Sequence, residues 1–95
     1  MSEPISPPPP TVALELLKNT AYGDTSGSNS ARSFLFWLVG EEDPSGFKGQ
    51  GALEMRLLDA DHRKAAFEVL AWWSGCTWSD DPVHNVLNEL RNRFD

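Results

Sequence analysis

The chain has 95 residues, 14 of them acidic and 8 basic, for a formal net charge of −6, and it carries four Trp and five Phe. That length allows one domain. An acidic surface repels phosphate backbones and so disfavours direct nucleic-acid binding, but it attracts protein partners with a basic surface, including surfaces that normally hold nucleic acid.

Met1–Pro10 holds Pro4 and Pro7–Pro10, leaves few backbone donors and reads as a disordered, polyproline-rich tail before a helical domain over 11–95. It is either a solvated spacer or a ligand for a groove-bearing partner. Thr11 is the expected N-cap of a first helix to about Tyr22, with Ala13, Leu16, Leu17 and Ala21 on one side and Gly23 ending it. Gly23–Asn29 reads as a turn-rich loop. It lacks the Gly-Lys-Ser/Thr ending of a phosphate-binding loop, so Asp24 and Thr25 are expected to bond nearby backbone groups.

Ser30–Gly40 is the expected centre of the fold. Ser30 or Asn29 can cap it, Gly40 can end it, and Ala31, Phe34, Leu35 and Leu38 share a face. Phe36, Trp37 and Val39 cover the other sides, which predicts burial on most faces. A buried strand is the rival reading. The run Phe34–Val39 is far shorter than the roughly 20 apolar residues that span a bilayer.

Glu41–Gly51 reads as a surface loop pinned by Phe47. Glu41, Glu42 and Asp43 are consecutive rather than spaced as in a calcium loop, so they are expected to be solvated charges. Ala52–Leu58 fits a strand or a short helical turn, and the helical turn is favoured. Asp59 should cap a helix over Ala60–Ser74 with an inner stripe of Ala66, Phe67, Leu70, Ala71 and Trp73, and with Trp72 at its edge. Asp81-Pro82 predicts the start of a last helix, whose stripe is Val83, Val86, Leu87, Leu90 and Phe94. The expected fold is all-α, a small single-domain bundle of about four helices.

The chemistry available is thin. Cys76 is the only cysteine, so no internal disulfide and no multi-thiolate metal site can form. Its position after a helix end does not lower a thiol pKa. His62 lies between charged residues and is expected to be exposed; His84 follows Asp80 by four residues, but two ligands do not make a zinc site. No catalytic residue, metal or cofactor is predicted. No signal peptide is legible, so the expected compartment is the cytoplasm. The remaining signal is a surface one. Trp78 beside Asp80 and Asp81, together with Glu41, Glu42 and Asp43, are the candidate partner-binding residues. The competing reading is that all four Trp simply fill the core.

From Leu14 to Phe94 the chain resembles a family of short uncharacterised bacterial proteins common on plasmids and integrative elements. The resemblance rests on Gly23-Asp24-Thr25, Phe34-Leu35, Gly46-Phe47 and the helix starting at Asp59. The family's terminal segment often has aromatic-Pro-Asp where this chain has Trp78-Ser-Asp-Asp-Pro, a departure. The setting implies an accessory role on a mobile element, and small acidic inhibitors of host defence such as anti-CRISPR proteins share that setting and physique. The function expected is therefore that of a non-enzymatic, protein-binding accessory or inhibitor protein without membrane contact. A self-associating structural module, such as a homodimer, is the alternative, and a small enzyme the third.

Overall fold

The computed structural model describes residues 9–23, 25–49, 51–75 and 81–94. Four α-helices run over Thr11–Ala21 (α1), Ser26–Leu38 (α2), Ala60–Gly75 (α3) and Asp81–Phe94 (α4), and a 3₁₀ helix spans Gly51–Leu57 before α3. No strand occurs among the described residues, so the protein is an all-α bundle. The strand alternative for Phe34–Val39 is excluded, and the favoured short helical turn within Ala52–Leu58 is the 3₁₀ helix. The Pro-rich tail lies outside the described residues up to position 8.

α2 touches every other helix, and α1 lies against α2, α3 and α4, whereas α3 and α4 meet only through them. The core is therefore a layer between α1 and α2, with Leu14, Leu17, Phe34, Phe36, Val69, Leu87 and Leu90 inside it. Lys18 joins α1 to α4: its Nζ lies 3.0 Å from Glu89 and 3.1 Å from Glu15. Hydrogen bonds to Glu89 first, then Glu15, hold its pKa above the ordinary lysine value.

Several helix ends differ from expectation. Thr11 is the first residue of α1 rather than its cap; Pro10 occupies that position and its carbonyl accepts the Leu14 N–H at 2.9 Å. α2 begins four residues earlier than Ser30, because Thr25 is the N-cap and its Oγ1 accepts the Ser28 N–H at 3.1 Å. Much of the expected Gly23–Asn29 loop is thus helix, because the Thr25 and Ser28 side chains bond within the first turn of α2. Gly40 ends the central segment with φ +73°, the left-handed conformation that favours glycine.

α4 buries Val83, Val86, Leu87 and Leu90 as the spacing predicts. In α3 the predicted stripe holds only in part: Ala66 is buried and Leu70 and Trp73 pack partly buried against the core, but Phe67 and Ala71 do not turn inward. The helix buries Ala65, Ala66, Val69 and Trp72, while Ala71 is exposed and Phe67 is 57% exposed. α3 carries apolar side chains on nearly all sides, so periodicity does not select a face. The stripe turned inward toward α1 is the one with small side chains at its start, and the bulky Phe67 is left outside. His62 is also half-buried rather than exposed.

Candidate protein-binding cleft

The site begins with a charge where the pattern calls for an apolar residue. Arg32, in the middle of α2, is the largest fully buried side chain, at 1% exposure. Burying a guanidinium is costly unless its charge is paired and all its donors are met. Both conditions hold. Nε donates to Asp43 Oδ1 at 2.8 Å and Oδ2 at 2.9 Å. Nη1 donates to the Ala21 carbonyl at 2.8 Å and the Gly23 carbonyl at 3.4 Å. Nη2 donates to Asn29 Oδ1 at 2.5 Å and Ser45 Oγ at 2.9 Å. The Phe94 ring lies 4.2 Å below the guanidinium carbon, a cation–π contact. One side chain therefore ties the end of α1, the start of α2, the loop after α2 and the last turn of α4 together.

That anchor shapes the loop. Asp43 Oδ1 also accepts the Ser45 N–H at 2.8 Å, and the Gly46 N–H donates to the Asp43 carbonyl at 3.1 Å, closing a turn that ends on Gly46 at φ +88°. The loop returns along α2 closely enough that a Cβ on Gly49 would sit 1.8 Å from Ser33 Oγ. Only glycine permits that approach.

Between the loop and the second half of α2 lies a cleft of about 350 Å³, lined by Ser33, Trp37, Glu42, Phe47 and Lys48 among others. Trp37 packs one side on Phe34, with ring centroids 6.1 Å apart, and is 42% exposed. Phe47 is half-buried and lines the wall, but it is not among the side chains packed on the core, so the loop is held by Arg32 and not pinned by Phe47. Among the described residues Glu42 and Lys48 have no ion-pair partner. Glu41 receives a hydrogen bond from Arg91, whose guanidinium also lies 5.4 Å from the Phe36 ring centroid.

The predicted site residues divide accordingly. Glu41 and Glu42 lie on the cleft rim. Asp43 is a correction: its side chain is 2% exposed and serves Arg32, so it is not a solvated charge. Asp81 is exposed in the first turn of α4, about 15 Å along that helix from Arg91 and its Glu41 contact. The structure does not bring Asp81 to the cleft. Trp78 and Asp80 lie outside the described residues. Trp37 was missed as a surface residue because it sits inside the longest apolar run. Its exposure also shows that the four Trp do not all fill the core.

One other constellation has the look of chemistry. Asp59 Oδ1 lies 2.7 Å from His62 Nδ1, and His62 Nε2 lies 2.5 Å from Thr20 Oγ1. A carboxylate, an imidazole and a hydroxyl in that order match a nucleophile–base–orienter chain. The surroundings do not match it. Thr20 lies in the last turn of α1, where the negative end of the helix dipole opposes an alkoxide. The Asp59 side chain is 67% exposed, and neither Thr20 nor His62 lines the Trp37 cleft. The chain instead straps α1 to the start of α3, where Asp59 also caps the helix by accepting the His62 backbone N–H at 2.9 Å.

Among the described residues no cluster of three or more His, Cys, Asp or Glu is placed to hold a metal, and no helix is long and apolar enough to cross a membrane. Comparison with family models, curated proteins and solved structures finds no match, so the chain's own geometry carries the functional reading.

Proposed function

We propose that this is a non-enzymatic, protein-binding accessory or inhibitor protein that captures a cationic side chain of a basic partner in the Trp37 cleft. The observation that carries this reading is an exposed Trp face in one cleft with a carboxylate, Glu42, that has no ion-pair partner among the described residues, on a loop fixed from below by Arg32. An arginine or lysine is attracted by both groups at once, the ring through its quadrupole and the carboxylate through its charge. The loop is already ordered by three Arg32 hydrogen bonds, two to Asp43 and one to Ser45, so little conformational entropy is lost on binding. Glu41 can join by exchanging Arg91 for the incoming cation. The resemblance to proteins of plasmids and integrative elements supports a setting in which such a protein acts on a host nucleic-acid-handling or defence complex, as anti-CRISPR proteins do, because those assemblies present basic surfaces.

The test is a partner captured from bacterial lysate, followed by binding kinetics at several salt concentrations. Trp37→Ala should raise the dissociation rate, and Glu42→Lys should slow association, most at low salt. If association is indifferent to salt and Trp37→Ala binds normally, this cleft is not the site. A purified protein whose mass rises with its own concentration, lost in Trp37→Ala, would instead make the cleft a self-association surface.

A further inference from the structure

On the surface made by the 3₁₀ helix and α3, the charge pattern reverses. A cleft of about 460 Å³ is lined by Met55, Arg56, Arg63, Phe67 and Leu70. Its floor and one wall are apolar, with Met55 buried, Leu70 half-buried and Phe67 57% exposed. Leu57, 66% exposed, is the neighbour of Arg56 along the same short helix. A large apolar side chain left exposed over an apolar cleft on a small acidic protein marks an interaction surface. Arg63 and Lys64 stand one helical turn before Phe67. Among the described residues none of Arg56, Arg63 and Lys64 has a carboxylate within ion-pair distance. Arg63 is oriented by donating from Nη2 to the Leu58 carbonyl at 3.0 Å, which fixes it at the junction of the two helices. The nearest acids along α3, Asp61 and Glu68, do not line the cleft.

From this juxtaposition we infer that the Arg56–Arg63–Phe67 cleft is a second docking surface, one that takes an acidic amphipathic helix of another protein. A large apolar side chain of that helix fills the cleft against Phe67 and Leu70, and carboxylates one turn to either side meet Arg56 and Arg63. Charge complementarity selects this occupant. A second copy related by a two-fold axis would set the same patch against itself and bring arginines face to face. An anionic bilayer is flat where this site is recessed, and the protein's net charge of −6 opposes it. The inference stands apart from the Trp37 cleft, which takes a cation; together the two surfaces would let one small domain bridge a basic and an acidic partner.

The probe is a labelled amphipathic helical peptide with a Leu/Phe face flanked by Glu, compared with the same peptide carrying Lys for Glu, each titrated into the full chain. The Glu peptide should bind and perturb the amide resonances of the 3₁₀ helix and the first half of α3, and the Lys peptide should leave these unmoved. Arg56→Glu should weaken binding roughly tenfold, more at low salt. Phe67→Ser should weaken it roughly thirtyfold. Both side chains are exposed, and thermal melting confirms that each variant is folded. No binding of the Glu peptide, equal binding of both peptides, or perturbation confined to the Trp37 cleft overturns the inference. So does adsorption to vesicles of anionic lipid that Arg56→Glu abolishes, or a concentration-dependent mass that Phe67→Ser abolishes, since these assign the patch to a membrane or to a second copy.

Discussion

Two residues of α2 reverse the usual placement. Arg32, near its middle, is buried at 1% exposure, and Trp37, five residues later, is 42% exposed. The difference lies in what surrounds each group. Arg32 has an acceptor for every N–H and a carboxylate for its charge, so little remains unsatisfied when water leaves. Trp37 has one face toward the Phe34 ring and stays 42% exposed among the described residues. Burial follows the completeness of the local bonding rather than the hydropathy of the residue. Arg32 holds the fold, while Trp37 stands out of a half-helix whose Phe34, Leu35, Phe36 and Leu38 are buried in the core.

Removing Arg32 is the most direct way to break this comparison. Arg32→Ala leaves the Asp43 carboxylate buried without a counter-charge, and cutting one member of such a pair costs about 3–5 kcal/mol. Arg32→Met combined with Asp43→Leu should lose less than Arg32→Ala alone, because no orphaned charge remains. Urea unfolding of the three proteins decides the matter. If Arg32→Ala costs no more than a surface substitution, the buried clasp does not hold the loop.

α4 and α3 give the same lesson for apolar residues. Leu87 is fully buried, so Leu87→Ala should cost about 2–5 kcal/mol. Phe67→Ala removes a larger side chain, but one that is mostly in water, and should shift stability by about 0.5 kcal/mol or less. Comparable denaturation midpoints for the two would mean that α3 turns its predicted stripe inward after all.

What the sequence revealed follows from the same contrast. The α4 face was legible because Val83, Val86, Leu87 and Leu90 are its only large apolar residues apart from Phe94, so period and burial coincide. In α3, apolar side chains surround the axis, and the choice between Phe67 and Trp72 depends on how α1 packs, which is a tertiary fact. The start of α2 is not legible in the sequence, because Ser26, Ser28 and Asn29 suit turns as well as first helical turns. Glu41, Glu42 and Asp43 were legible as an acidic cluster. Their separate fates were not, because these depend on Arg32 and Arg91, 11 residues upstream of Asp43 and 50 downstream of Glu41. Nothing in the sequence marks Arg32, a lone charge two residues before the apolar run, as the residue that holds the loop.

Trp37→Ala sharpens the comparison from the other side. It removes an aromatic contact with Phe34 but leaves the Arg32 network whole, so its stability cost should be about 1 kcal/mol. Its effect on partner binding should be larger than that, the reverse of Arg32→Ala, whose primary effect is on the fold. A Trp37→Ala protein that melts as early as Arg32→Ala would show that the exposed ring belongs to the core.

The smallest effect belongs to the exposed counterpart of the Arg32–Asp43 pair. Asp59 accepts the His62 backbone N–H and, second, bonds the His62 ring, and these hold its carboxyl below the ordinary aspartate value. A carboxyl whose pKa is depressed on folding contributes stability that is fully present above its unfolded value, about 3.9, and is lost as pH falls through the lower folded value. Asp59→Asn keeps an acceptor at the helix cap but cannot ionise. The stability advantage of the wild type over Asp59→Asn should therefore hold near pH 7 and shrink as the pH approaches about 3. Because the pair is exposed, added salt should also reduce that advantage, whereas the cost of Arg32→Ala should be nearly indifferent to salt. Thr20→Val separates the two ends of the strap: it removes the hydroxyl bonded to His62 Nε2 but leaves the Asp59 cap, so its acid dependence should follow the wild type. Urea midpoints measured against pH at two salt concentrations give all of these comparisons. Wild-type and Asp59→Asn curves that run parallel down to pH 3 would show that the Asp59 charge adds nothing to the fold.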